Sequence, residues 1–195
     1  MFSNEQLSAL IQGEIIGRGY PYNTQDETEI ESHIRRLFHR IERIPNVMCE
    51  AEWNHFGSGY ASFIEFFCYR KEDRVIVEEH GIQHITIDGI MIDISRLAPV
   101  AIFGEDERVK KVRVETAEEV SSGHGTILDG THRLKVSKKL QPLANDVSKA
   151  LNEYDYQLLA SKDMMQPLPF QANIPTVYRP ARQYIVMDAI FYWED

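Results

Sequence analysis

The sequence predicts an α+β domain built on a mainly antiparallel sheet, and three observations predict it. Apolar residues recur at helical spacing between residues 27 and 44, then switch to alternation after Pro45. Two Asp-Gly dipeptides, Asp88-Gly89 and Asp129-Gly130, each stand between short apolar runs, the strongest local signal for tight hairpins. Helical spacing returns once, over residues 143–158, ahead of a final apolar stretch. Helices and strands that segregate along the chain give α+β, not α/β. The expected object is a single domain, residues 1–195. It holds a β-meander of about six to eight strands, N-terminal helices, one late helix and a C-terminal strand inside the sheet.

Each element has its own warrant. Residues 5–16 form a first helix with Leu7, Leu10, Ile11 and Ile15 on one side, broken at Gly17-Arg18-Gly19-Tyr20-Pro21. Thr24 followed by Glu27 fits a capping box for the second helix. Ile30, Ile34, Leu37, Ile41 and Ile44 give that helix one apolar stripe, and Pro45 stops it. Val47, Cys49, Ala51 and Trp53 then share a strand face, and Gly57-Ser58-Gly59 turns the chain into the aromatic segment Tyr60 to Tyr69. Lys71-Glu72-Asp73 is a turn before Val75-Ile76-Val77. Ile85-Thr86-Ile87 and Ile90-Met91-Ile92 flank the first Asp-Gly, and Thr126-Ile127-Leu128 and His132 to Val136 flank the second. Val100 to Phe103 and Val109 to Val114 supply two further strands. Pro142 suits the first turn of a helix carrying Leu143, Val147, Leu151, Tyr154 and Leu158. Residues 163–183, with four prolines, are a loop. In Tyr184 to Trp193 both alternating rows are largely apolar, which suits a strand covered on both faces. Asp188 is the one misfit, because an acid among apolar neighbours is costly to bury unpaired.

Composition limits the function classes. With 43% hydrophobic and 26% charged residues the chain is globular, and no apolar run approaches the roughly 20 residues of a membrane-spanning helix. The N-terminus lacks a basic region followed by a long apolar one, so a cytoplasmic location is expected. Cys49 and Cys68, in neighbouring strand-like segments, are expected as reduced core residues. Lys and Arg total 21 against 30 Asp and Glu, a net charge of -9 that repels phosphate backbones. The helical cations Arg35, Arg36, Arg40 and Arg43 interleave with Glu27, Glu29, Glu31 and Glu42, so they make a salt-bridged face and no nucleic-acid patch.

Motifs for chemistry are weak. Ser121-Ser122-Gly123-His124-Gly125-Thr126 is a glycine-rich loop with a titratable histidine, yet it lacks the Gly-Lys-Ser/Thr ending of a phosphate-binding loop. An acid–base site would use His124, or else His80 or His84, with Asp188 orienting the ring. Ser58 fails as a nucleophile elbow because positions 56 and 60 are Phe and Tyr. His80 and His84 invite a metal, but on a strand they stand about 13 Å apart unless Gly81 bends the chain. No motif asks for a cofactor. Tyr20, Tyr22, Tyr154 and Tyr156, with Asp26 and Asp155, fall in loops or off the helical stripe and are the candidate binding residues. In general character an acidic α+β domain of this kind resembles the bacterial immunity proteins that neutralise a toxin. That likeness is carried by no residue motif and transfers no functional residue. The expected function is therefore binding of a basic protein partner, acting by occlusion. A small His/Asp enzyme and a structural homo-oligomer are the alternatives.

Overall fold

A computed structural model describes every residue except Met1, His55, Phe56, Ser58, Arg182 and Asp195; the Ser58 question therefore lies outside the described residues. The architecture is α+β, as the segregated periods predict. Helix α1 (Asn4–Ile11) is shorter than its apolar spacing suggested and starts with a capping box. Ser3 Oγ accepts from the Gln6 amide at 3.2 Å, and the Ser3 amide donates to Gln6 Oε1 at 2.9 Å. Helix α2 (Glu27–Glu42) buries Ile30, Ile34, Leu37 and Ile41. Its cap is Asp26, not Thr24: the Asp26 carboxylate accepts from the amides of Thr28 at 2.8 Å and Glu29 at 3.4 Å. A carboxylate also complements the positive end of the helix dipole. Thr24 instead closes the preceding 3-10 turn, with its hydroxyl donating to Pro21 O at 2.7 Å.

The strands are β1 (Val47–Glu52), β2 (Tyr60–Ala61), β3 (Phe63–Arg70), β4 (Arg74–Glu79), β5 (Ile82–Ser95), β6 (Val100–Arg113) and β7 (Glu119–Gly123). After α3 (Gln141–Glu153) come β8 (Gln157–Leu158), α4 (Ser161–Met164), α5 (Val186–Ile190) and β9 (Trp193–Glu194). A seven-stranded sheet has the order β1-β3-β5-β6-β7, with β4 also on β5 and β8 parallel to β6. β4 continues the line of β3 along β5, so the sheet has a proximal half under the helices and a distal half, residues 74–87 and 108–123. One face of the proximal half packs Ile64, Phe66, Ile90 and Ile92 against α2 and α3. The other packs Phe63, Phe67, Met91 and Ile102 against α1, α5 and the C-terminal segments. With both faces covered, β3 is buried almost along its length, which is why its aromatic run does not alternate.

Four expectations are overturned. The C-terminal stretch is not an interior strand. Val186–Ile190 is a short buried helix, and Trp193–Glu194 pairs with β2 in a separate two-stranded sheet. An apolar run of this length does not distinguish a buried strand from a buried helix. Asp88-Gly89 is not a hairpin turn either, since β5 runs straight through it opposite β6. The dipeptide serves packing: a Cβ on Gly89 would lie 2.6 Å from Cζ of the Phe67 ring, which crosses the strand there. Val100–Phe103 and Val109–Val114 are likewise parts of one strand, β6, that ends at Arg113. Asp129-Gly130 sits in a loop before the 3-10 turn Thr131–Arg133. The tight turn is at His80-Gly81, between β4 and β5, where φ is 52° and 75°.

Candidate functional site

The N-terminal half of α2 brings most of the sequence-predicted binding residues together around one histidine. Tyr20 meets His33 edge-on and Tyr154 meets it tilted, with centroids at 5.9 and 5.2 Å, and Tyr156 lies 5.8 Å from the same ring. His33 Nε2 donates to Tyr154 O at 3.1 Å, and burial lowers its pKa so that the ring favours the neutral form. Tyr20 is 50% exposed, and its hydroxyl donates to Glu29 at 2.6 Å. Asp26 caps the helix beside it, and Asp155 takes φ 60° just after α3. Tyr22 and Tyr156 belong elsewhere than the surface expected for them. Both are buried, and the Tyr22 hydroxyl donates to Ser95 O at 2.6 Å and lies 3.1 Å from the Tyr156 hydroxyl. They are the floor of the cluster, and Tyr20 and Tyr154 its outer layer.

On the opposite flank of α2 lies a groove of about 490 Å³ between the helix and β2, lined by Glu27, Glu31, Trp53, Tyr60 and Arg96. Arg35 crosses its rim. The guanidinium lies 4.0 Å from the Trp53 ring centroid and bonds Glu31 at 2.6 Å. Arg96 reaches Glu31 at 3.4 Å. Burial alone would raise the Glu31 pKa, but the two guanidinium groups bring it below the ordinary value. Glu27 makes no side-chain hydrogen bond or ion pair among the described residues, and Tyr60 is 39% exposed with Glu194 opposite it across β2 and β9. Trp53 and Tyr60 were missed by sequence reasoning, which saw only a strand face and an aromatic run, whereas Glu27 is an exposed acid of the kind the sequence offers to a basic partner.

The residues considered for catalysis lie apart from this surface. His124 follows β7 and its Nδ1 donates to Gly125 O at 2.9 Å. It lines a recess of about 320 Å³ with Glu65, Thr126, Asp129 and Tyr178. Burial pushes the Tyr178 hydroxyl up to about 12. Glu65 faces Asp93 directly across β3 and β5 and is held by Arg108 at 2.8 Å. The Asp93 carboxyl is 1% exposed and neither oxygen has a hydrogen-bond partner among the described residues. Burial, then the Glu65 charge, drives its pKa well up. Both acids stand alone in apolar runs, Phe63 to Phe67 and Met91 to Ile94, the same signal that singled out Asp188.

Asp188 does not orient a histidine. It pairs with Arg179, which also donates to Leu128 O and Asp129 O at 3.1 Å, and it accepts from the Ile185 amide at 2.8 Å. The residue fastens α5 to the preceding loop. His80 lies in the β4–β5 turn and His84 on β5 opposite Val77 and Lys111. Among the described residues no group of three or more His, Cys, Asp or Glu is arranged to hold a metal. Cys49 and Cys68 face each other across β1 and β3 as free thiols, Sγ to Sγ 2.7 Å. No helix is long and apolar enough to cross a membrane among the described residues. No protein-family model, curated protein or solved structure matches the chain.

Proposed function

We propose that the protein binds a basic protein partner in the cytoplasm and acts by covering it, in the manner of an immunity protein occluding a toxin. Lys or Arg side chains of the partner enter the groove beside α2, between Glu27 and the rings of Tyr60 and Trp53. Arg35 is the observation that carries this function. Its guanidinium, stacked on Trp53 and bonded to Glu31, shows the groove wall already holding a cation by ring face and carboxylate together. The net charge of -9 favours approach of a cationic partner. Tyr20 and Tyr154 extend the surface around the helix with area at low entropic cost.

The test is capture of basic proteins on the immobilised chain, followed by titration of the captured protein against wild type, Glu27→Lys and Tyr60→Ala. Affinity falling about tenfold in each variant, the effect of ~1.4 kcal/mol, supports the groove. An acidic partner, or a basic one bound equally by all three chains, overturns it.

The Asp93 carboxyl, which has no hydrogen-bond partner among the described residues, favours one alternative, a small acid–base enzyme working in the recess of Glu65, His124 and Tyr178. Turnover of a hydrolysable ester or glycoside that is lost in a folded Asp93→Asn variant would support it. Equal turnover by the variant would remove it.

A further inference from the structure

Strand β4 is the outer strand of the distal half-sheet. It pairs with β5 on one side, and on the other no described residue forms a hydrogen bond to its backbone. Val75, Ile76 and Val77 are 57%, 47% and 49% exposed, an uninterrupted β-branched run on an open edge. Edges of this kind are templates for another strand unless they are blocked by charge, proline or a bulge. β4 has none of these at its centre, and charge only at its ends: Arg74, then Glu78 and Glu79.

The hairpin fixes which backbone groups face outward. A two-residue turn at His80-Gly81 makes Glu79 and Ile82 a hydrogen-bonded pair, and such pairs alternate along an antiparallel ladder. Glu79, Val77 and Val75 therefore spend their amides and carbonyls on β5. Glu78, Ile76 and Arg74 point theirs outward. A strand added to this edge must offer its own outward residues to these three, so half of all registers are excluded.

We propose that the added strand is β4 of a second copy of this chain, antiparallel and centred on Ile76. In that register Ile76 meets Ile76 of the second copy, Val75 meets Val77 twice, and Arg74 meets Glu78 twice. The outward residues pair with outward residues throughout, and the three apolar positions all find apolar partners. Shifting by two residues in either direction, the next allowed registers, sets Ile76 against Arg74 or Glu78 instead. Arg74 and Glu78 form no ion pair within one chain among the described residues, so both are available. Asp73 would stand opposite Glu79 of the second copy, but Lys139 already neutralises it at 3.3 Å. Residues 70–87 and 107–123 hold seven Lys and Arg against eight Asp and Glu, so two copies meet here without the repulsion that the whole chain's charge implies.

Sedimentation equilibrium across a dilution series reads the assembly. A mass of two chains at high concentration is expected. Ile76→Pro removes an outward amide and spares the β4–β5 ladder, so it should give a folded monomer with an unchanged far-ultraviolet spectrum. Arg74→Glu and Glu78→Arg should each weaken the dimer about tenfold by placing like charges opposite one another twice. The double variant Arg74→Glu/Glu78→Arg should restore it, which no fault in monomer folding would mimic. A monomer at every concentration overturns the proposal. So does a dimer that survives Ile76→Pro, or one that the double variant fails to restore.

Discussion

Asp93 and Asp188 are both aspartates at 1% exposure, and the same substitution should move stability in opposite directions at the two sites. Asp93 has no hydrogen-bond partner among the described residues, and burial holds its folded pKa above the free value. At acid pH it is protonated in folded and unfolded chains alike and contributes nothing. As pH rises through about 3.9 the unfolded chain loses this proton first. The folded chain then binds more protons, so stability falls with rising pH until Asp93 ionises in the fold. Asp93→Asn removes that penalty. A gain of about 1–3 kcal/mol at neutral pH and a flatter dependence on pH are expected in thermal melts. Asp188→Asn, in contrast, leaves Arg179 without its anion in a pocket where 13% of that side chain is exposed, and should lower the melting temperature. A loss of stability in Asp93→Asn would show that its carboxyl is held by something it gains only in solution.

At the scale of elements, the C-terminal segment is locked to the body by side chains and backbone together. Ser62 Oγ donates to Ile190 O at 2.9 Å, the Tyr192 amide donates to Ser62 Oγ at 2.9 Å, and the Tyr192 hydroxyl donates to Leu10 O at 2.9 Å. Tyr184, Met187, Ala189, Ile190, Phe191 and Tyr192 are all buried. Truncation before Tyr184 should therefore abolish the cooperative calorimetric transition, and a truncated chain that melts cooperatively would refute that. Burial of this segment was legible in its apolar composition; its helical form was not, because α5 spans little more than one turn and has no polar face to reveal a period. α2 and α3 were legible because each presents one stripe to one layer over three turns or more. Asp88-Gly89 misled because what decides there is non-local: β6 pairs along the full length of β5, and Phe67 needs the space a side chain would fill. His80, which takes positive φ in the real turn, carries no such local signature. At the candidate site, Tyr20 was legible as a loop residue, and Asp26, Tyr154 and Asp155 as polar or aromatic side chains at the predicted helices, where the sequence offers them to a partner. Tyr22 and Tyr156 are buried because their hydroxyls meet each other and Ser95 O beneath α2, a long-range contact that only the fold supplies.

Across the whole molecule the charge is uneven, and this separates the two proposed contacts experimentally. Residues 70–87 and 107–123, the distal half-sheet with its flanking residues, carry seven cations against eight anions, so nearly all of the -9 lies in the rest of the chain, which includes the groove beside α2. A cationic partner approaching that body is steered by a field that salt screens, with a Debye length of about 30 Å at 0.01 M falling to about 3 Å at 1 M. Pairing through β4 rests on backbone hydrogen bonds and apolar side chains, with two ion pairs at its ends. Raising the salt over that range should therefore slow association with the basic partner by about 10–1,000-fold in stopped-flow measurements. The self-association constant from sedimentation should move less than about tenfold, since rim charge pairs contribute little. If salt slows partner binding and leaves the dimer in place, the two surfaces are independent, and Ile76→Pro should leave partner affinity unchanged. If instead the monomeric variant also loses the partner, the groove beside α2 is not sufficient by itself, and the partner must span both copies.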